Sequence, residues 1–318
     1  MPSLLDVRDL TVEYVGIRGR VRAVDDVSFS LEKGSTLGIV GESGCGKSTL
    51  GFSILRIVPP PGRIVSGEIH LDGVNLLRQS EETMRHVRGS QISMVFQDPM
   101  TSLDPLMRIR DHFIELFRTH EPTMTNEAGV SRTVKLLDSL GIGGDRVDDY
   151  PHQFSGGMRQ RVMIGLALAL EPKLIIADEP TTALDVIVEA QVLELLKQLK
   201  QKYGLTLILI THNIGIVAEM ADTIAVMYAG QVVEVGPTTD IFENPLHPYT
   251  KGLLESAPNV LHPERSMRPI PGTPPDLLNP PSGCRFHPRC PKAFEPCPFR
   301  EPLLVQRNTR LVACHLYD

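Results

Sequence analysis

Residues 41–48 are GESGCGKS and match the pattern G-x-x-x-x-G-K-[ST]. Glycines in this pattern allow a loop whose backbone N–H groups all point inward around a phosphate oxygen. An apolar strand at residues 36–40 precedes the loop, and a helical pattern at residues 48–58 follows it and directs the positive end of a helix dipole at the same anion. This context favours a phosphate-binding loop over a glycine-rich turn with an exposed lysine. Lys47 would then reach the β- and γ-phosphates of a nucleotide, and the Ser48 hydroxyl would ligate Mg²⁺.

A pair of acids after a second apolar strand supplies the other half of such a site. Residues 174–177 are apolar, and Asp178 and Glu179 follow at the carboxyl end, where open α/β sheets bind their ligands. Asp178 suits the Mg²⁺ shell, and Glu179 is placed to orient or deprotonate an attacking water. Alone, two acids at a strand end are equally typical of a solvated strand end. Together with the loop at residues 41–48, they indicate a hydrolytic site.

Apolar strands alternate with helical patterns along most of the chain. Residues 104–149 have a helical pattern with Gly and Asp breaks, as in an inserted helical subdomain. Residues 224–228 and 231–235 flank Ala229-Gly230 and predict a hairpin. Strands that alternate with helices predict an α/β fold with a mainly parallel sheet. From about residue 240 prolines cluster and the periodicity is lost, which indicates an appended tail.

Composition excludes several classes of protein. The 318 residues are 42% hydrophobic and 22% charged, as in soluble globular proteins, and 32 Lys and Arg against 38 Asp and Glu give a net charge of -6. This balance argues against a surface built to bind nucleic acid. No apolar run reaches the roughly 18 residues of a membrane span, and no secretory signal is present, so we expect the chain to stay in the cytoplasm.

Further motifs, in their order along the chain, resemble those of the ATP-binding subunits of ABC transporters. Residues 154–158, FSGGM, resemble the LSGGQ signature, with Phe for Leu and Met for Gln. Gln97 matches the Q-loop, residues 183–185 (ALD) match the D-loop, and His212 matches the switch histidine. Tyr14 stands where the family places an aromatic residue that stacks on adenine. The resemblance covers residues from about 5 to 240.

The resemblance implies a fold and a division into domains. The fold is an α/β P-loop NTPase of the ABC cassette type, with a mainly parallel core sheet, an N-terminal antiparallel β subdomain and an inserted α-helical subdomain at about residues 104–165. The cassette would span residues 1–240, and a Pro-rich, Cys-rich C-terminal extension would span residues 241–318.

The resemblance also implies roles for single residues. Gln97, Glu179 and His212 would be catalytic, and Ser48, Gln97 and Asp178 would hold Mg²⁺. Two such subunits pair head-to-tail, so that the signature of one subunit acts in trans on the ATP held by the loop of the other. The residues implied in ATP binding are Tyr14, Gly41, Ser43, Gly44, Cys45, Gly46, Lys47, Ser48, Thr49 and Asp185, with Ser155, Gly156 and Gly157 in trans.

Longer phrases resemble the oligopeptide/dipeptide importer branch. These phrases are FQDPMTSL at 96–103, NPLHPYT at 244–250 and FHPRCP at 286–291, and residues 158–164 with 176–182 resemble the D-type subunit of that branch. The implied partners are an F-type ATP-binding subunit, two membrane permeases and an extracytoplasmic binding protein, with no nucleic acid. The chain would be peripheral on the cytoplasmic face of the inner membrane and would hydrolyse ATP to energise peptide import.

Other functions stay open at this point. The same branch imports nickel, glutathione and oligosaccharides, and the ATPase subunit does not contact the cargo. A soluble ABC-type ATPase that acts on nucleic acid or ribosomes is an alternative, although such proteins usually carry two cassettes. A third possibility is an iron–sulfur redox sensor regulated by nucleotide.

Four cysteines crowd the last 35 residues. In a cytoplasmic chain, Cys284, Cys290, Cys297 and Cys314 are more typical of a metal site than of disulfides. Four thiolates suit a [4Fe–4S] cluster or zinc. Similar tails in the family are associated with [4Fe–4S], which makes the cluster the expected cofactor beside ATP and Mg²⁺. Zinc and unligated thiols are the alternatives, and the possible replacement ligands are His287 and His315.

Overall fold

The computed structural model describes residues 3–98, 102–182, 184–256 and 268–318. It divides into two compact units, a first unit of Met1–Arg78 with Leu209–Asp318 and a second unit of Gln79–Ile208. The boundary expected between residues 240 and 241 stays a prediction. Within the parts of the chain that the structure describes, no helix is both long enough and apolar enough to cross a membrane.

Twelve strands are defined among these residues, and they include the four that the sequence predicts at residues 36–40, 174–177, 224–228 and 231–235. Their bounds are β1 Ser3–Gly16, β2 Gly19–Glu32, β3 Thr36–Val40, β4 Gly62–Leu71, β5 Val74–Asn75, β6 Ile92–Val95, β7 Leu174–Asp178, β8 Thr206–Thr211, β9 Thr223–Tyr228, β10 Gln231–Pro237, β11 Val305–Arg307 and β12 Arg310–Val312.

Helices separate many of these strands. In the described residues their bounds are α1 Lys47–Ile54, α2 Glu81–Ser90, α3 Ile109–His120, α4 Asn126–Ser139, α5 Gly156–Leu168, α6 Val186–Tyr203, α7 Ile214–Met220, α8 Thr238–Glu243 and α9 Pro248–Ser256. Helix α1 ends four residues before the expected end at residue 58, because Arg56 adopts a left-handed conformation with a φ of 54°.

The first unit contains a four-stranded antiparallel sheet in the order β2-β1-β4-β5. Strand β1 buries Leu5, Val7, Leu10 and Val12 at no more than 1% exposure, so its inner face forms a continuous apolar layer. This sheet is the antiparallel N-terminal subdomain that the sequence predicts.

A second, mixed sheet in the first unit carries the strand that leads to the phosphate loop. Strand β3 pairs with β9 in parallel, and β9 turns through Ala229-Gly230 into the antiparallel strand β10, as expected for a hairpin. Ala229 and Gly230 both have positive φ, 49° and 88°, which matches the turn that joins right-twisted strands. Strands β12 and β11 extend this sheet beyond β10, so the C-terminal extension is hydrogen-bonded to the core of its unit.

The second unit combines a parallel strand pair with helices. Strands β6 and β7 run in parallel, with Ile92 opposite Leu174 and Val95 opposite Ala177. Helices α3 and α4 confirm the helical pattern at residues 104–149, and they bury Phe113, Phe117 and Leu137 completely. The chain is therefore α/β, with one antiparallel and one mixed sheet.

Candidate functional site

The phosphate loop lies between the buried strand β3 and helix α1, in the first unit. Gly46 has a φ of 106°, and a Cβ built there would lie 1.9 Å from the carbonyl oxygen of Ala23. A Cβ on Gly41 would lie 2.2 Å from the carbonyl oxygen of Met227. Only glycine fits these two positions, so the chain around the loop enforces the conformation that the motif predicts.

Lys47 is the cation at the centre of this loop. Its side chain is buried, with the residue 5% exposed, and its Nζ donates to the carbonyl oxygens of Gly41 at 2.9 Å and Glu42 at 3.1 Å. The ammonium group therefore lies inside the curve of the loop, where a phosphate is bound in sites of this type. Burial raises the pKa of the Cys45 thiol, so Cys45 fills space in the loop and is not activated as a nucleophile.

Two residues that the sequence analysis does not single out, Tyr249 and Arg289, hold the loop from outside. The backbone N–H of Glu42 donates to the hydroxyl oxygen of Tyr249 at 2.9 Å. The Nη1 and Nη2 atoms of Arg289 donate to the two carboxylate oxygens of Glu42 at 2.7 and 2.9 Å. Both partners come from the C-terminal extension. The only signal for Arg289 was the phrase at residues 286–291, which had been used for its family resemblance alone.

Tyr14 and His212 are the other predicted site residues of the first unit. The Tyr14 hydroxyl lies 3.3 Å from Oγ1 of Thr49, in the first turn of α1, and a Cβ on Gly62 would lie 2.6 Å from the Tyr14 ring. Tyr14 thus packs beside the helix that follows the loop, and adenine stacking stays a prediction. His212 is exposed directly after β8, as expected for a strand-end residue.

The predicted acids lie at the end of β7, in the second unit. Asp178 is the last residue of this strand and is 2% exposed. Glu179 has a φ of 45°, a conformation that non-glycine residues seldom adopt outside functional or strained sites. Its Oε2 accepts hydrogen bonds from Oγ1 of Thr182 at 2.8 Å and from Nε2 of Gln97 at 3.1 Å. The structure therefore brings together Gln97 and Glu179, which the resemblance had assigned separately.

The signature forms the first turn of α5. Ser155 accepts a hydrogen bond from the backbone N–H of Met158 at 3.3 Å, so it caps the helix. Ser155 and Gly156 are exposed, whereas a Cβ on Gly157 would lie 2.4 Å from Val188. The Arg146 guanidinium, which the sequence reasoning did not single out, lies 4.5 Å from the centre of the Phe154 ring.

Asp185 of the predicted D-loop is a helix cap. Its carboxylate accepts from the backbone N–H groups of Ile187 at 3.1 Å and Val188 at 3.0 Å, at the start of α6. An ATP contact for Asp185 stays a prediction. The remaining predicted residues Gly41, Ser43, Gly44, Ser48 and Thr49 all lie in the phosphate loop and its helix. Residues 99–101, Ala183 and residues 257–267, which belong to predicted motifs or to the Pro-rich segment, lie outside the described residues.

The four cysteines of the extension all lie within the described residues. No group of three or more His, Cys, Asp or Glu side chains in the described parts of the chain is placed to hold a metal ion. Burial raises the pKa of Cys284 to about 11 and also raises the pKa of Cys290 and Cys314. These thiols would have to lose their protons to bind a metal ion, and a bound ion itself lowers the pKa of its ligands. The structure therefore does not support the predicted [4Fe–4S] cluster or the zinc alternative.

The two possible replacement ligands each form hydrogen bonds within the extension. Nδ1 of His287 lies 2.9 Å from the carbonyl oxygen of Cys284. Nε2 of His315 lies 2.7 Å from the carbonyl oxygen of Arg300, and its Nδ1 faces Asp318. Both imidazoles therefore tie turns of the extension to its own backbone.

Two family models match the chain. The ABC transporter model matches residues 24–182, and the model of the oligopeptide/dipeptide transporter C-terminal region matches residues 233–297. These ranges cover the phosphate loop, the signature and the acids of β7, and also Tyr249, Arg289 and three of the four cysteines.

Curated relatives match over nearly the whole chain. The dipeptide transport ATP-binding protein DppD of Bacillus subtilis is 46% identical over 100% of this chain and 96% of its own length. The oligopeptide transport ATP-binding protein OppD of the same species is 51% identical over 89% of this chain and 80% of its own length.

Solved structures share the fold. The dimeric post-hydrolysis state of the ATP-binding cassette MJ0796, bound to ADP and Pi, is similar with a TM-score of 0.64 and 27% identity, over 74% of this chain and 98% of that one. The cbiO1 protein of Clostridium perfringens, part of the ABC transporter complex cbiONQ, gives a TM-score of 0.65 at 28% identity, over 77% of this chain and 92% of that one.

Proposed function

The chain belongs to the ATP-binding proteins of ABC transporters, in the branch with the oligopeptide/dipeptide transporter C-terminal region, and from this premise we propose that it hydrolyses ATP to power peptide uptake. The observation that carries the proposal is the enforced glycine loop at residues 41–48 with the buried Lys47 ammonium inside it. The names of the dipeptide and oligopeptide transport relatives support peptides as the cargo.

Binding of the nucleotide uses the loop and its helix. The N-terminus of α1 complements the phosphate charge, and Lys47 adds a positive charge at a buried position. Because these groups are already in place, little reorganisation is needed when the charge shifts during phosphoryl transfer.

Hydrolysis uses the residues at the end of β7. We assign Glu179 to the attacking water, because its carboxylate is held in one orientation by Thr182 and Gln97. His212 is assigned to the γ-phosphate by the family resemblance. By the family resemblance, Mg²⁺ would be held by Ser48, Asp178 and Gln97, which offer the hard oxygen ligands that this ion prefers. Gln97 would bind the ion through Oε1, because its Nε2 donates to Glu179. The bound ion would neutralise charge on the phosphates.

Pairing of two ATP-binding chains completes the proposed cycle. Ser155 and Gly156 are exposed at the N-terminus of α5, so their N–H groups are available to the nucleotide of a second chain. The related cassette with ADP and Pi is described as a dimer, which supports this arrangement. The proposed partner is a paralogous F-type chain, and ATP-driven closure of the pair would move two membrane permeases.

The rest of the assembly follows from the same premise. Peptide uptake requires permeases and a binding protein outside the membrane, so we place the chain at the cytoplasmic face of the inner membrane, bound through the permeases. The iron–sulfur assignment is a separate and finer proposal that rests on the family resemblance and on the four cysteines alone. Its test is iron and sulfide analysis of anaerobically purified chain. Absence of both would contradict it.

The proposed function is tested by peptide uptake in cells whose own copy is replaced by Lys47→Ala. We expect uptake of a labelled peptide to fall to below about a tenth of the wild-type rate, because the phosphate contact is lost. The control is Lys33→Ala, which removes an exposed lysine from the turn between β2 and β3 of the same unit. Uptake that stays at the wild-type rate in Lys47→Ala cells, with the variant present at normal levels, would contradict the proposal.

A further inference from the structure

Arg289 is one of the most completely engaged side chains of the extension. Its side chain is 6% exposed, and its two Nη atoms form a bidentate pair with the Glu42 carboxylate. Its Nε donates to the carbonyl oxygen of Pro271 at 2.9 Å, and Nη1 also lies 3.3 Å from the Tyr228 hydroxyl. A planar guanidinium bound on three sides has a single orientation, and the carboxylate that it grips is fixed with it.

Glu42 is the second residue of the phosphate loop, and this position makes its charge important. A carboxylate in a loop that binds polyphosphate repels the ligand unless a cation neutralises it, and the repulsion is strong where water is scarce. Lys47 does not perform this task, because its Nζ donates to the loop carbonyls of Gly41 and Glu42. Arg289 supplies the counter-charge from 247 residues further along the chain.

The backbone of Glu42 is held by the extension as well. Its N–H donates to the hydroxyl of Tyr249, which is completely buried. The Tyr249 ring packs against Tyr228 with 4.5 Å between ring centres and against Phe286 with 5.3 Å. One residue of the loop is thus fixed at its main chain and at its side chain by a single aromatic and cationic cluster.

We propose that Arg289 is a positioning residue for nucleotide binding, which neutralises Glu42 and holds the phosphate loop in its binding conformation. The inference rests on the proposed function, because it assumes that residues 41–48 bind ATP. It gives the C-terminal extension a direct role in nucleotide affinity, and it predicts that an extension change can alter ATP binding without touching the motif.

The test is the affinity of the full purified chain for the fluorescent analogue mant-ATP. Arg289→Ala should raise the Kd about tenfold, since it leaves an unpaired carboxylate in the loop. Glu42→Gln in the same chain should bring the Kd back to within about threefold of wild type, because the repulsive charge is gone. Purely structural support by Arg289 would not produce this rescue. Arg289→Lys keeps the positive charge but cannot form the bidentate pair with Glu42. Its Kd should therefore lie between that of wild type and that of Arg289→Ala.

The matched control is Arg310→Ala. Arg310 is also a buried arginine of the extension, but its partners are Glu234, Asp240 and Asn244 rather than the loop. We expect it to lower the thermal midpoint and leave the Kd within about twofold of wild type, because stability and affinity are separate readouts.

Three results would overturn the inference. The first is a folded Arg289→Ala or Arg289→Lys chain that binds mant-ATP as wild type does. The second is a double variant that binds no better than Arg289→Ala. The third is a wild-type chain that does not bind mant-ATP at all, and this result alone would overturn the proposed function too.

Discussion

The phosphate loop and the signature have the same local structure, but different residues hold them in place. Each is a glycine-rich turn that opens a helix, α1 in one case and α5 in the other. In the loop, Cys45 and Lys47 are buried, while residues 43–44 at the tip are exposed. In the signature, Ser155 and Gly156 are exposed.

Because different residues hold them, one chain can carry two phosphate-binding turns that act on different nucleotides. The loop is completed by its own unit, through Ala23, Met227, Tyr249 and Arg289, so it is pre-organised before any ligand arrives. The signature is held where Gly157 packs close to Val188. The two residues before Gly157 are exposed, so the first N–H groups of the helix face outward. The two turns therefore differ in the side chains that hold them rather than in the exposure of their tips.

We expect the greatest loss of ATP turnover from a change at Glu179 that leaves nucleotide binding intact. Glu179→Gln should lower ATP turnover at least about a hundredfold, because a glutamine cannot accept the water's proton, and leave nucleotide affinity within about twofold. The measurement is phosphate release by the assembled complex, together with the mant-ATP Kd of the chain. Its control is Glu171→Gln, which changes an exposed carboxylate of the same unit. Turnover within about threefold of wild type would refute the assignment of Glu179 as the base.

The second effect tests the signature turn. A Cβ built on Gly156 would lie 3.6 Å from its nearest neighbour, a side-chain atom of Leu184. This is an ordinary van der Waals contact, so we expect the Gly156→Asp chain to fold. An aspartate in the first turn also suits the helix dipole. It should lower turnover of the assembled complex at least about tenfold by repelling the partner's nucleotide, while mant-ATP binding to the isolated chain stays unchanged.

Gly156→Ala is the matched control, since it adds a similar Cβ without a charge. Its turnover should remain close to wild type. The comparison between the two turns would fail if Gly156→Asp weakened binding of mant-ATP by the isolated chain, or if the assembled complex turned over ATP normally.

A smaller effect, on the pH dependence of folding stability, comes from His247 in the extension. His247 is 1% exposed, and burial lowers its pKa from 6.5 to about 3. The unfolded chain binds a proton at this residue below about pH 6.5 while the folded chain does not, so stability is lost as pH falls from 6.5 towards 3. The slope from this residue is at most about 1.4 kcal/mol per pH unit.

His247→Asn should remove that slope. Nδ1 of His247 accepts the Tyr249 backbone N–H at 3.0 Å, and an asparagine oxygen offers a similar acceptor without titrating. Denaturant unfolding at several pH values between about 7 and 4 measures the difference, and wild type should lose stability faster than the variant. Parallel pH profiles for the two chains would contradict a neutral buried His247.

Much of the cassette was predictable because its signals are local. The strand at residues 36–40 and the hairpin at Ala229-Gly230 each follow from neighbouring residues, and the structure confirms them. The end of α1 was placed too late, because the left-handed Arg56 has no local sequence signal.

The contacts that complete the sites were not predictable in the same way. Arg289 and Glu42 are 247 residues apart, so no periodicity or spacing links them. The pairing of Gln97 with Glu179 spans 82 residues and required the fold. The cysteines are a different case, since their composition favours a metal site and no group of three or more possible ligands among the described residues is placed to hold an ion.

The most direct test of the proposed function is purification of the tagged full chain from gently solubilised native membranes, with its partners identified by mass. We expect to recover two polytopic membrane proteins and a second, similar ATP-binding chain. Recovery of the chain alone, or with ribosomal or DNA-bound proteins, would contradict its role in peptide transport.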